Sequence, residues 1–372
     1  MLYAYMSKKK LLIVSASPGA GHVRAAEAVR KTAAQSYLNL TVKHIDFFDF
    51  LNTPMKVALA GTYDLMIKQA PELWGFVYKR TNKPNVTNRL QKITKALKNI
   101  ASSEYASEIR KFDPDYILFT HMFPADMYLG LIENKKLPSI PHGTLITDYG
   151  LHEMWITHTH QHFFVPTEKM HWQVRERDVK NTHVICTGIP VDPIFYEKKS
   201  LPELRKQLKF SPKEHIILCL SGGQGLTHLD EVINTIKKIS TPATIVAVCG
   251  TNKGLLKKLK NLSCPPHISL QPLGWVNNID EYMRIADVVV SKLGGMTTTE
   301  CVTLGIPIIG IDPIPGQEEY NTQFILENKL GHIARTKEDL LYYISHIEKP
   351  MKRPIKKSAN LILDTIEREL RK

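Results

Sequence analysis

One unit occurs twice in this chain, and the repetition limits what it can fold into. Residues 10–33 read KLLIVSASPGAGHVRAAEAVRKTA, and residues 215–238 read HIILCLSGGQGLTHLDEVINTIKK. Each begins with an unbroken apolar run, Leu11–Val14 or Ile216–Leu220, and turns through glycine into a helix with one apolar side. Val23, Ala26 and Val29 line that side in the first helix; Leu229, Val232, Ile233 and Ile236 line it in the second. Strands that are apolar throughout belong to parallel sheets covered by helices on both faces, because only there do both sides of a strand leave water.

More runs of this kind follow: Thr41–Ile45, Tyr116–Thr120, His142–Thr147, His162–Val165 and His183–Thr187, then Thr244–Cys249, Ile268–Leu270, Val288–Ser291 and Pro307–Ile311. Helical stretches separate most of them. The alternation predicts an α/β fold of two doubly wound Rossmann-like domains. The expected division is 1–195, 196–350 and a tail at 351–372. Gly188–Leu201 is the linker, and a Lys- and Glu-rich helix over Ile355–Leu370 packs back on the first domain. The length of 372 residues and the 43% apolar share fit two cored domains and exclude a disordered chain. Five cysteines without a CxxC spacing predict reduced thiols in a cytoplasmic setting rather than a disulfide framework.

The N-terminus imitates a secretion signal, with Lys8–Lys10 before Leu11–Val14, but the apolar run is far shorter than the roughly 7–15 residues a signal needs. No stretch approaches the ~20 apolar residues of a transmembrane helix. The formal net charge is +13, and its distribution is uneven. Residues 52–100 hold nine basic residues against Asp64 and Glu72, a net of +7, without a convincing strand. Among them stand Leu59, Met66, Trp74, Phe76 and Tyr78. Basic residues beside bulky apolar ones suit an interfacial membrane element, with Trp74, Phe76, Lys79 and Arg80 as the contact residues. A solvated helical insertion packing on its own domain is the plainer alternative. Nucleic acid is the least favoured partner.

Three sets of turns carry chemistry. The first is Ser17-Pro18-Gly19-Ala20-Gly21-His22, where a glycine turn presents helix N-terminal amides to a ligand. It is no dinucleotide fingerprint, since Arg24 fills the third glycine's place. His22 falls on the first helical turn, where the dipole favours a neutral ring able to take a proton; helix capping is the alternative. The second is Ser221-Gly222-Gly223-Gln224-Gly225 in the matching place of the second half. The third comprises Gly274-Trp275-Val276, Ser291–Glu300 (SKLGGMTTTE) and Pro313–Asn321 (PIPGQEEYN). Turns at successive strand ends converge on one crevice, as a nucleotide requires. Asp113-Pro114-Asp115 reads as a helix-to-strand turn rather than a metal site. His152, His158, His160 and His162 lack the usual zinc spacing. Asp46 suits a cleft or structural role better than ribose binding.

The order GWV, SKLGGMTTTE, PIPGQEEYN resembles the donor half of the GT-B glycosyltransferases that include the peptidoglycan GlcNAc transferase. SASPGAGHVRAAEAV, IDFFDF, FDPDYILFTH and TDYGLHEMW with FFVPTEKM resemble one branch, the monogalactosyldiacylglycerol synthases and processive diacylglycerol glucosyltransferases. The resemblance implies GT-B domains facing each other across a cleft and inverting transfer of a hexose from a UDP-sugar to diacylglycerol. It also implies no bound metal or cofactor, and a peripheral place on the inner face of an anionic cell membrane. His22 matches the base on the acceptor hydroxyl, with Gly21, Asp148, His152 and Trp155 on the acceptor side. Gly222, Gly223 and Gln224 match the loop facing the diphosphate, and Val276 the uracil contact. Gly295 and Thr297 match the phosphate site, Glu300 the ribose carboxylate, and Gln317 and Glu318 the sugar contacts. A lipid-linked cell-wall precursor is the rival acceptor, and a UDP-GlcNAc 2-epimerase the rival enzyme.

Overall fold

The computed structural model describes residues 8–17, 19–52, 56, 72, 75–76, 80, 82, 103–156, 161–177, 179, 182–222, 228–311, 313–316, 318–348 and 356–372. The chain forms two compact units, one of Met1–Pro193 with Lys356–Lys372, the other of Ile194–Ile355. The first therefore ends near residue 193 rather than 195, and the chain re-enters it at 356 rather than 351.

In the first unit β1 (Lys9–Ser15) leads into α1 (Ala20–Ser36) and β2 (Leu40–Asp46), and a helix over residues 103–112 precedes β3 (Tyr116–Phe119). Then come α2 (Met122–Glu133), β4 (His142–Leu145), β5 (His162–Val165), α3 (Glu168–Arg175) and β6 (His183–Cys186). All strand pairs are parallel, in the order β2-β1-β3-β4-β5-β6. Leu11–Val14, Ile117 and Leu118 are wholly buried, which is why their runs carry no polar alternation.

The second unit runs α4 (Leu201–Gln207), β7 (Ile216–Leu220), α5 (Leu229–Ile236), β8 (Ala243–Val248), α6 (Lys253–Lys260) and β9 (Ile268–Leu273). It continues as α7 (Ile279–Ile285), β10 (Val288–Ser291), α8 (Gly295–Leu304), β11 (Ile308–Gly310), α9 (Glu319–Glu327), β12 (Gly331–Ile333) and α10 (Lys337–Ser345). Its sheet is parallel in the order β12-β11-β10-β7-β8-β9.

Most strand ends lie within a residue or two of the sequence reading, and three larger differences have a physical reason or a structural consequence. Strand β9 continues through Pro272 to Leu273 rather than ending at Leu270, which an edge position permits because proline then deprives no neighbour of a donor. Strand β12 was not anticipated: three residues opening on glycine show no apolar run. A Cβ at Gly331 would stand 1.8 Å from the Ile308 carbonyl oxygen, so the pairing itself demands the glycine. The last helix, α11 (Ser358–Leu370), starts later than Ile355.

Helix α11 packs on α1, burying Ile362, Leu363 and Ile366. The Tyr37 hydroxyl donates to Asp364 Oδ1 at 2.6 Å, and Gln161 Nε2 donates to Glu369 Oε1 at 2.9 Å. Gly188, at φ 85°, lets the chain pass so close to α11 that a Cβ there would lie 2.6 Å from Ser358 Oγ. All five cysteines are free thiols. Among the described residues, no helix is long and apolar enough to cross a membrane.

Candidate active site

Both sheets reverse their winding beside their first strand, between β1 and β3 and between β7 and β10. Connections leave such neighbours toward opposite faces, so the ground beyond their carboxyl ends stays open, and doubly wound folds bind ligands there. Gly21 and His22 follow β1, Gly222 follows β7, and Gly295, Thr297 and Glu300 follow β10, whereas Asp148, Val276 and Glu318 follow β4, β9 and β11.

At the first switch point, α1 starts from Gly19 at φ 107°, a conformation that side chains resist. Its seat is fixed by a polar relay: Ser15 Oγ pairs with His44 Nε2 at 2.8 Å, His44 Nδ1 with Glu27 Oε1 at 2.6 Å, and Arg30 with Glu27 at 2.7 Å. Asp46 Oδ1 accepts from the amides of Ser17 and Phe48, so this carboxylate shapes the glycine turn. Asp115 likewise accepts from the Lys10 amide at 2.7 Å and pairs with Lys9, as expected of a turn residue.

His22 stands on the first turn of α1, and its Nδ1 lies 2.7 Å from the Thr120 carbonyl oxygen and 2.9 Å from Thr147 Oγ1. A carbonyl only accepts, so Nδ1 carries the proton and Nε2 is left as the ring's acceptor. Burial lowers the His22 pKa below the usual 6.5, against the raising influence of Asp148 and the Thr120 carbonyl. The result is a neutral imidazole with a basic nitrogen available near neutral pH, the state a general base needs.

The neighbours of this ring are mostly aromatic. His121 meets it edge-to-face at 4.5 Å between centroids, and Trp155 lies 6.2 Å away. His152, 3% exposed, accepts from the Met154 amide through Nδ1 and so supports the short turn Glu153–Trp155. Gly21 is beside His22 on α1, and Asp148 follows β4 within electrostatic reach of it. Sequence reasoning singled out neither Thr120, Thr147 nor His121. The motif FDPDYILFTH ends on two of them, but their importance rests on β3 lying beside β1.

At the second switch point Gly222 takes φ 75°, and Ser221 Oγ donates to the Val248 carbonyl at 3.0 Å. Helix α8 is capped by Gly294, which has no side chain to offer its amides, and its first turn carries Gly295 and Thr297. Glu300 is 2% exposed on the second turn of α8. Val276 is in the half-buried turn that follows β9. The Glu318 carboxylate accepts from the Ile314 amide at 2.9 Å, which braces its own loop. Asn321, wholly buried and not singled out from the sequence, donates to the Leu293 carbonyl at 2.7 Å and fixes the approach to α8.

Gly223, Gln224, Gln317, Trp74, Lys79, His158 and His160 lie outside the described residues. Phe76 is exposed, with the Arg80 guanidinium 6.0 Å over its ring, and Asn82 Oδ1 accepts from the Glu153 amide. Among the described residues no cluster of three or more His, Cys, Asp or Glu is arranged to hold a metal.

Residues 22–191 match the monogalactosyldiacylglycerol (MGDG) synthase family, and residues 201–353 match the group 1 glycosyl transferases. The chain is a GT-B glycosyltransferase whose first half carries the MGDG synthase pattern. A relative from Bacillus subtilis, a processive diacylglycerol beta-glucosyltransferase, is 26% identical over 92% of this chain and 87% of its own. Among solved structures, MurG from Acinetobacter baumannii superposes on this glycosyltransferase with a TM-score of 0.58 at 16% identity, over 97% of this chain and 99% of its own. The UDP-GlcNAc 2-epimerase from Neisseria meningitidis bound to UDP-GlcNAc gives 0.58 at 15% identity, covering 96% of this chain and all of the other. At such identities these likenesses establish the fold alone. The family match, not the fold, separates the glycosyltransferase from the epimerase.

Proposed function

We propose that this glycosyltransferase moves a hexose from a UDP-sugar to the free hydroxyl of diacylglycerol, with inversion at the anomeric carbon and without a bound metal ion. It works at an anionic membrane surface on the inner face of the cell membrane. The single observation that carries the chemistry is the bond of His22 Nδ1 to the Thr120 carbonyl, which leaves Nε2 as the ring's acceptor. The acceptor hydroxyl gives its proton to Nε2 as its oxygen bonds to the anomeric carbon. The bond to the diphosphate breaks on the opposite side, and UDP leaves with that electron pair. The amides at the start of α8 and the turn at Gly222 receive the diphosphate charge, with Glu300 on the ribose hydroxyls and Val276 at the uracil. The match of residues 22–191 to the MGDG synthases and the activity for which the Bacillus subtilis relative is named support the lipid acceptor. The net charge of +7 within residues 52–100, with Phe76 and Arg80 exposed, supports the anionic surface.

A panel of UDP-sugars offered with diacylglycerol-containing vesicles, read by product mass, tests this reading. A hexosyl-diacylglycerol is the expected product. Conversion of UDP-GlcNAc alone to UDP-ManNAc, or transfer only to a lipid-linked cell-wall precursor, would replace the reading with one of its rivals.

A further inference from the structure

His121 follows Thr120, the residue whose carbonyl takes the His22 Nδ1 proton, and both project from the end of β3. Its own Nδ1 accepts from the Phe123 amide at 3.1 Å, where it caps α2. That bond fixes the ring's rotation and spends its Nδ1 lone pair, so the neutral ring carries its proton on Nε2. The two imidazoles are therefore opposite tautomers, each anchored to main chain through Nδ1. They meet edge-to-face at 4.5 Å with an interplanar angle of 82°. Trp155 closes the group, 6.3 Å from His121 and 6.2 Å from His22.

We propose that His121 is a positioning residue for the reaction. Its ring, locked onto the start of α2, is the wall that holds the His22 imidazole in the rotamer and tautomer whose Nε2 is open to the acceptor hydroxyl. Three facts favour this over a purely structural cap. An N-cap needs only one short acceptor, and Asn or Asp supplies it more cheaply than an imidazole. The ring is 7% exposed, meets the proposed base edge-to-face at 4.5 Å and stacks on Phe123 at 5.1 Å. Two rings this close disfavour a second positive charge, which matches the direction of both: burial and His22 hold His121 well below 6.5, and burial lowers His22. A wall that excludes water and adds no charge keeps His22 ready to accept a proton rather than already carrying one.

The inference rests on the reading of His22 as the base, and the experiment separates the two. His121→Asn keeps an acceptor for the Phe123 amide and removes the ring; His121→Phe keeps a ring and removes the acceptor. In His121→Asn, kcat should fall at least tenfold with the KM for UDP-sugar unchanged, and the acid limb of the kcat/KM profile should move upward as water reaches His22. Histidine-selective 15N spectra of substrate-free protein should show His22 losing its single Nδ1–H tautomer. His121→Phe should recover part of the lost kcat. The proposal is overturned by His121→Asn activity within twofold of wild type, or by a folded variant of low activity whose pH limb and His22 tautomer are unchanged. It is also overturned if the phenylalanine variant is no better than the asparagine variant. The tautomer readout needs no substrate, so it still decides the matter if diacylglycerol proves to be the wrong acceptor.

Discussion

Thr120 holds His22 from two sides: its Oγ1 donates to the His22 main-chain carbonyl at 3.0 Å, while its own carbonyl accepts from the imidazole at 2.7 Å. One residue at the end of β3 thus fixes both the backbone and the ring of a residue 98 positions earlier. The two bonds are chemically separable, because only the first involves the Thr120 side chain.

Thr120→Val removes the hydroxyl and leaves the carbonyl in place. The loss should be about 1 kcal/mol of stability, with most of the activity kept. His22→Ala leaves the fold intact and should lower kcat by ~10²–10⁴. A urea titration and a steady-state assay on each variant check this ordering. Equal activity in both would contradict the assignment of Nε2 as the base.

The pH dependence has a definite sign. Burial holds the imidazoles of His22, His121 and His142 below the ordinary 6.5, and His162 at about 4. The unfolded chain takes up these protons near pH 6.5 while the fold refuses them. Stability is therefore complete above that pH and falls as the pH drops toward each folded value, by about 1.4 kcal/mol per proton for each pH unit. Amide exchange in β3, β4 and β5, followed from pH 7.5 to 5, should show progressive loss of protection. Constant protection across that range would count against neutral buried rings.

Asn321→Ala should leave the Leu293 carbonyl without the side-chain amide that donates to it. A cost of about 1–3 kcal/mol is expected, together with weaker UDP binding, because Leu293 leads directly into the N-terminus of α8. Thermal melting gives the first quantity and UDP titration the second. Unchanged UDP affinity in a destabilised variant would remove Asn321 from the donor site and leave it a bracing role.

Phe76→Ser combined with Arg80→Glu removes an exposed aromatic and reverses the charge beside it. Sedimentation with vesicles rich in anionic lipid should lose protein to the supernatant. Wild-type binding should weaken at high salt, as a basic interfacial surface requires. Binding of equal strength to neutral and anionic vesicles would speak against that surface.

Much of this architecture could be read before the fold was known. Leu11–Val14 and Ile216–Leu220 declare themselves as strands because burial on both faces leaves no polar residue in them. Gly19 declares a helix start because its φ of 107° suits little but glycine. Gly331 could not be read, since its requirement is a carbonyl of the neighbouring strand at Ile308. Glu318 was expected at the transferred sugar, and one oxygen of its carboxylate also accepts from the Ile314 amide of its own loop. A hydrogen bond to an amide four residues away leaves no mark in the sequence.

By itself, then, the sequence determined the approximate place of eleven of the twelve strands, how the two units repeat, and that a histidine follows the first glycine turn, since apolar periodicity and turn chemistry are local. Only the tertiary structure decided which nitrogen of that histidine is free. The answer depends on the Thr120 carbonyl and the His121 ring. The parallel pairing of β1 with β3 brings both beside α1 across about a hundred residues of chain.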